Sequence, residues 1–264
     1  MIGFAVKDGG VRVESHVVNG VRVLVYRADD CVIDGFSPYV KCACLPAFCK
    51  WASDYGLRAL GYYASRESFW VGDLKRQAER RGIKALITHP RTKQPPEWAT
   101  KMGDSLVYLK PNIYSVNYNI SRSMMREQFG EHGLMLPMGI DVPAFVHVQT
   151  AFFNKFPVPE AVTYIVPSGS GTALSCLAIA LGPINVELHG IVTRPEKSVQ
   201  RVIDNNTTVM FRPTIKLHSL DHQQDNDIDA TWPVTKGWER TAYAWLKKNV
   251  HSLAQPICFL NLGR

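Results

Sequence analysis

Two short segments of this chain carry residue types whose chemistry is complementary. The first is Ser168-Gly169-Ser170-Gly171-Thr172. It follows a run, 161–167, that reads as a buried strand, and it opens at once into an apolar segment of helix length that ends at Leu181-Gly182. Strand, Ser/Gly turn and helix in that order gather free backbone N–H groups and hydroxyls at a helix N-terminus, where the partial positive charge favours an anion. No Gly-Lys-Ser/Thr follows the glycines, so no lysine is placed to reach a second phosphate. The loop suits one phosphomonoester better than a polyphosphate; the competing reading is an ordinary strand-to-helix turn whose glycines only permit tight packing. The second segment centres on Lys41, the only charge in residues 36–48. Burial there disfavours the ammonium form, lowers the pKa and leaves a nucleophilic amine able to condense with an aldehyde. The competing reading is a lysine that runs its stem along its own helix to reach water.

The elements that must position these groups alternate along the chain. Strands are expected at 21–26, 59–63, 84–89, 106–110, 187–192 and 257–260, besides the one before the Ser/Gly loop. Helices are expected at 38–55, 68–81, 114–129, 142–156, 197–205 and 236–249. Such alternation argues for α/β architecture with parallel strands. Pro and Gly punctuate the joints, as at Gly56, Gly82, Pro90, Pro95-Pro96 and Pro137.

Composition sets the outer limits. At 264 residues, 46% hydrophobic and 20% charged, the chain is globular and long enough for one large domain or two lobes. No apolar stretch approaches the ~20 residues that span a bilayer, so a soluble cytoplasmic protein without a membrane partner is expected. Six cysteines, at 31, 42, 44, 49, 176 and 258, show no paired C-x-x-C spacing, and no disulfide framework is expected. Cys42, Cys44 and Cys49 cluster in an apolar helical segment, where free cysteine packs as a small hydrophobe, so no metal is expected either. The acidic stretch 221–229 lacks the central Gly and closing Glu of a calcium loop and reads as a surface loop. The formal charge is +7, with basic residues at Lys75-Arg76, Arg80-Arg81, Lys84, Arg91, Lys93 and Lys247-Lys248. That surplus leaves room for an anionic macromolecule such as DNA.

Four segments in a fixed order resemble the fold type II family of pyridoxal-phosphate enzymes, the tryptophan synthase β-like group. The nearest likeness is to its 1-aminocyclopropane-1-carboxylate deaminase and D-cysteine desulfhydrase branch. Ser37-Pro38-Tyr39-Val40-Lys41 looks like the segment bearing the Schiff-base lysine. Leu60-Gly61-Tyr62-Tyr63-Ala64-Ser65-Arg66-Glu67-Ser68 stands where the family grips the substrate carboxylate and the cofactor ring oxygen. Ser168-Gly169-Ser170-Gly171-Thr172 matches the phosphate loop, and Trp232-Pro233-Val234-Thr235-Lys236-Gly237 with Phe259-Leu260-Asn261-Leu262-Gly263 match two C-terminal segments.

The resemblance implies pyridoxal 5'-phosphate as cofactor and a two-lobe α/β fold with parallel sheets flanked by helices. A larger cofactor-binding lobe would comprise 1–52 and 137–264, and a smaller lobe 53–136. It further implies Lys41 as the catalytic residue forming the internal aldimine, and Ser168, Gly169, Ser170, Gly171 and Thr172 around the phosphate. Arg66 and Thr235 would face the ring, and Ser65, Arg66, Ser68 and Tyr63 the substrate. A homodimer is also implied. The departures from the family pattern are specific: Arg66 stands where the family has Asn against the ring oxygen, and Thr235 and Lys236 stand where the deaminase branch has an acid for the pyridine nitrogen.

Three functions follow from this. One is Cα chemistry on an amino acid, of the elimination, deamination or decarboxylation type. Another is a phage-type DNA-hypermodification enzyme acting on an amino acid attached to a base, with the basic residues on phosphates. The third is a degenerate, non-catalytic member that binds a phosphorylated ligand or a partner.

Overall fold

Long apolar strands with no polar alternation belong in sheets buried on both faces, and such sheets are parallel. The sequence Ile257-Cys258-Phe259-Leu260, every residue fully buried, is of this kind. The computed structural model, which describes residues 3–29, 31–33, 36–37, 39–66, 68–208, 212–220, 229–234 and 237–263, contains two sheets whose central strands are of this kind.

The larger sheet contains β1 (Arg12–Val18), β2 (Val21–Arg27), β7 (Thr163–Ser168), β8 (Glu187–Val192), β9 (Thr214–Ser219) and β10 (Ile257–Asn261). Their order is β1-β2-β10-β7-β8-β9. β1 and β2 form an antiparallel hairpin across Asn19-Gly20, both at positive φ (48° and 82°), as a two-residue hairpin turn demands. All other neighbours in this sheet run parallel. The smaller sheet contains β3 (Ala59–Tyr63), β4 (Lys84–Pro90), β5 (Leu106–Leu109) and β6 (Gly133–Leu136), all parallel, in the order β5-β4-β3-β6.

Helices cover both faces of each sheet: α1 (Val40–Asp54), α2 (Val71–Glu79), α3 (Tyr114–Phe129), α4 (Pro143–Lys155), α5 (Thr172–Leu181), α6 (Glu196–Asn206) and α7 (Trp238–Asn249). The main core lies between the sheets. It joins Leu60 and Ile87 of the small sheet to Tyr164 and Cys258 of the large one through α1, α2, α4 and α5. The outer face of the large sheet packs Val25, Ile165 and Phe259 against Tyr243 and Leu246 of α7. The outer face of the small sheet packs Tyr63, Leu86 and Met135 against Met125 of α3. Among the described residues no helix is long and apolar enough to cross a membrane. Cys31, Cys42, Cys44, Cys49, Cys176 and Cys258 are buried, and no disulfide links them among the described residues.

The start of α1 is tied to the far end of the chain. Its first N–H, that of Val40, donates to the Leu262 carbonyl at 2.9 Å, and Tyr39 bridges Gly263. A helix whose N-cap Tyr39 offers no side-chain acceptor thus gains one from the strand end beside it. This contact holds Lys41, one residue on, against the edge where the parallel strands end.

Candidate active site

In parallel sheets, ligands bind beyond the carboxyl ends of the strands. Five strands here release their chains into one cleft. It is lined by Ser65 and Ser68 after β3, Met138 and Gly139 after β6, the 168–172 loop after β7, Arg194 after β8, and Leu262 after β10. Lys41 enters from the start of α1, and Trp238 and Glu239 from the start of α7.

The Ser/Gly loop is built by its glycines. Gly171 caps α5 in the left-handed region (φ 94°), and an added Cβ would meet Val199 at 3.0 Å. Its N–H donates to Ser168 Oγ at 3.2 Å, and the Ser170 and Thr172 hydroxyls lie 3.1 Å apart. A Cβ on Gly169 would come within 3.2 Å of the Trp238 ring, whose Nε1 donates to Thr193 Oγ1 at 3.0 Å. Gly139, at φ 83°, presses on the loop from the other side: a Cβ there would overlap the Ser170 side chain and stand 2.8 Å from Thr172 Oγ1. The next residue, Ile140, is fully buried and also at positive φ (58°), a strained conformation for a β-branched residue that its packing enforces. Ser168, Ser170 and Thr172 line the cleft; Gly171 shapes it from behind.

Lys41 is partly buried, with Nζ 4.8 Å from the centroid of the Trp70 ring. Desolvation pushes its pKa down to about 8; the nearby Cys42 opposes this and the Arg194 charge adds to it. An appreciable fraction of the amine is therefore unprotonated near neutral pH. Tyr62 packs edge-on to the same Trp70 (4.6 Å between centroids), and burial raises its phenol to about 12, so it stays neutral.

At the β3 end, the Ser65 N–H donates to Ser68 Oγ at 3.0 Å and the two hydroxyls lie 3.1 Å apart. Tyr63 lines the cleft, with its hydroxyl accepting from Asn117 Nδ2 at 3.2 Å. Arg66 is not brought to this cleft. It is exposed at the tip of the turn, its carbonyl accepting from Trp98 Nε1 at 3.0 Å. The guanidinium that does line the cleft is that of Arg194, two residues beyond β8, which motif reading missed. The signal for it was the strand itself, because the residues after a parallel strand face the crevice. Thr235 and Lys236 lie outside the described residues. Glu239, also unforeseen, is a buried carboxylate in the cleft wall, and together with burial it holds the Tyr39 phenol up at about 12.

The same architecture occurs in solved structures. An ACC deaminase homologue superposes with a TM-score of 0.75 at 14% identity, covering 96% of this chain and 89% of its own. Maize serine racemase gives 0.61 at 13%, covering 96% and 88%. A T.th. threonine deaminase gives 0.59 at 16%, covering 92% and 87%. No family model matches the chain, and no curated protein does. The chain thus has the fold of the type II pyridoxal-phosphate enzymes. An ACC deaminase homologue stands among its structural neighbours, as the order of the four segments led one to expect.

Proposed function

We propose that this protein is a pyridoxal-phosphate-dependent enzyme acting at the Cα of an amino-acid substrate, of the deaminase or lyase type. One observation carries the reading: a lysine amine with its pKa lowered toward 8 and a hydroxyl cup suited to one phosphate line the same cleft. The residues fit the cofactor at both of its reactive ends. Gly139 keeps a side chain off the Ser170 and Thr172 hydroxyls and Gly169 lets the Trp238 ring close on the loop, while Gly171 lets the loop pack against Val199 behind it. When bound, the cofactor supplies a sink for negative charge developing at Cα.

The roles of the chain's own residues follow from their places. Ser168, Ser170, Thr172 and the N-terminus of α5 hold the phosphate. Lys41 is the amine placed for the aldehyde, and a pKa near 8 suits it to take and return a proton at Cα near neutrality. Trp70 and Tyr62 keep water from its flank. Ser65 and Ser68, now paired with each other, offer their hydroxyls to the substrate. Neighbours named threonine deaminase and L-serine ammonia-lyase support the elimination and deamination type.

The test is a visible absorption spectrum with added pyridoxal phosphate, followed by borohydride reduction and peptide mapping. A band trapped on Lys41 and absent from Lys41→Ala is expected. No adduct on Lys41 overturns the reading and leaves a non-catalytic binding protein.

A specific arrangement favours a second reading, in which the amino acid is attached to DNA. Arg66 follows β3, Arg91 and Lys93 follow β4, and Lys110 follows β5, so four exposed cations lie along one edge of the small sheet, the edge that also supplies Ser65 and Ser68. None of the four has an ion pair among the described residues, whereas Lys75 is paired with Glu79 and Arg76 with Asp73 inside α2. Duplex binding through these four would weaken with a log–log salt slope of about −3 to −4, and Arg91→Gln would reduce the slope by about 1. A slope near zero excludes it.

A further inference from the structure

The cleft holds a cation that the proposed chemistry has not used. Arg194 stands in the β8–α6 connection of the large lobe and lines the cleft with Lys41, Tyr62, Ser65 and Ser68. Its charge reaches Lys41, Tyr62 of β3 and Tyr114 of α3, all of whose titrations it influences. The guanidinium therefore projects across the cleft toward the small sheet. Among the described residues its side chain makes no hydrogen bond and no ion pair. The buried Arg27, by contrast, is held by Asp29 and Glu14. A partly desolvated, planar cation with five donors and no partner is poised for a carboxylate, which it can take through two parallel bonds.

We infer that Arg194 is the residue that binds the carboxylate of the substrate, so that the enzyme requires an amino compound bearing a carboxylate beside its reacting carbon. The inference rests on the amino-acid reading above and assigns to Arg194 the anion that the sequence assigned to Arg66. The cup provides for the phosphate with neutral donors and a helix end, so Arg194 is not needed there, and among the described residues it forms no ion pair with Glu239, the carboxylate of the cleft wall. The 65–68 turn can only add neutral donors, because its charged residue at 66 is outside the cleft. Arg194 shares the cleft with Lys41, the amine placed to move a proton at the adjacent carbon. Arg194 then works as a positioning and specificity residue.

The experiment compares amino acids with their carboxamides: alanine, serine and threonine, each as both enantiomers, against the corresponding amides. Binding to the holoenzyme is read from the visible band and, independently, from the fluorescence of Trp70 and Trp238 in the cleft wall. Wild type is expected to prefer at least one carboxylate over its amide by roughly ten- to hundredfold, the range of a charge-assisted pair. Arg194→Gln should erase the preference while leaving affinity for the amide unchanged, and Arg194→Lys should restore part of it. Arg201→Gln, which removes an exposed cation from α6, should retain it in full. The inference is overturned if wild type shows no carboxylate preference, or if Arg194→Gln keeps it. It is equally overturned if Arg194→Gln instead loses pyridoxal phosphate, since the guanidinium then serves the cofactor's anion. Borohydride trapping on wild-type Lys41 is run first. If no adduct forms, the enzymatic reading has failed, and fluorescence titration with acetate and propionate against their amides still decides whether Arg194 binds a carboxylate.

Discussion

Gly139 is the position where one methyl group separates two effects that are usually confounded. At φ 83° an alanine pays the left-handed backbone penalty of about 1–2 kcal/mol. Its Cβ would also overlap Ser170 and crowd Thr172 Oγ1, so both hydroxyls must turn away from the cup. Loss of one charge-assisted hydrogen bond to a phosphate is worth about 1.5–3 kcal/mol, or roughly a ten- to hundredfold rise in the Kd for pyridoxal phosphate. Gly82 provides the backbone control. It sits at φ 70° just beyond α2, with open space where its Cβ would be. Gly82→Ala should lower the melting temperature of the cofactor-free protein by about 2–8 °C for a chain of this size, and Gly139→Ala by more, because its Cβ also falls on the Ser170 side chain. Only Gly139→Ala should weaken the cofactor, as read by absorbance titration. If the two variants bind pyridoxal phosphate equally well, the Ser170 and Thr172 hydroxyls do not hold the phosphate, and the cup has been misread.

Three further outcomes follow from buried charge. Because folding depresses the Lys41 pKa, the unfolded chain binds more protons between about pH 8 and 10.5, and wild-type stability should rise with pH across that window. Lys41→Met should be more stable than wild type at pH 7, by at most about 3 kcal/mol, and should show a smaller rise by urea unfolding at pH 7 and pH 10. On the large sheet, His189 Nδ1 and His218 Nε2 share one hydrogen bond of 3.0 Å, stacked against each other and beside Trp245. Glu187 accepts at the other His189 nitrogen (3.1 Å), Glu196 lies near His218, and Lys216 faces both. Burial lowers both imidazoles, so stability should fall as pH drops below about 6.5, and His218→Phe should flatten that loss in melting curves from pH 7 to 5. Finally, Asp29 is fully buried and takes Arg27 through bonds of 2.7 and 2.9 Å; Asp29→Ala leaves a buried guanidinium short of a partner and should cost about 3–5 kcal/mol by denaturant unfolding.

The strands and helices that were legible in the sequence are those whose environment is uniform. Ala59–Tyr63, buried along its whole length, and Tyr114–Phe129 run over the residues expected of them. Three strands were missed, two because polar residues interrupt them and one because it is short. β1 and β9 are the two edges of the large sheet, where Arg12, Glu14 and His16 or Thr214, Lys216 and His218 interrupt the apolar residues. β6 has only four residues. The second helix begins at Val71, later than expected at 68, because Ser68 is used to close the preceding turn on Ser65. Local hydrogen bonding by serine competes with helix initiation there, and a hydrophobic pattern does not register that competition.

The candidate site divides along the same line. Its two chemical groups were legible because each announces itself locally: a Ser/Gly turn between strand and helix, and a single charge in an apolar helix. Its cation was not, because Arg66 and Arg194 are indistinguishable by type and each follows a parallel strand. What separates them is the turn geometry beyond the strand. After β3 the chain doubles back at once, with Ser65 and Ser68 bonded to each other, and Arg66 is left at the exposed tip. After β8 the chain instead continues through Thr193, anchored by the Trp238 indole, and the Arg194 carbonyl accepts from Ser219 Oγ at 3.3 Å. The backbone at 193–194 is thus fixed from both sides while the guanidinium is left free in the cleft. A residue with a fastened backbone and an unpartnered head is prepared for a ligand with little ordering cost, which is why Arg194 rather than Arg66 is the arginine to test first.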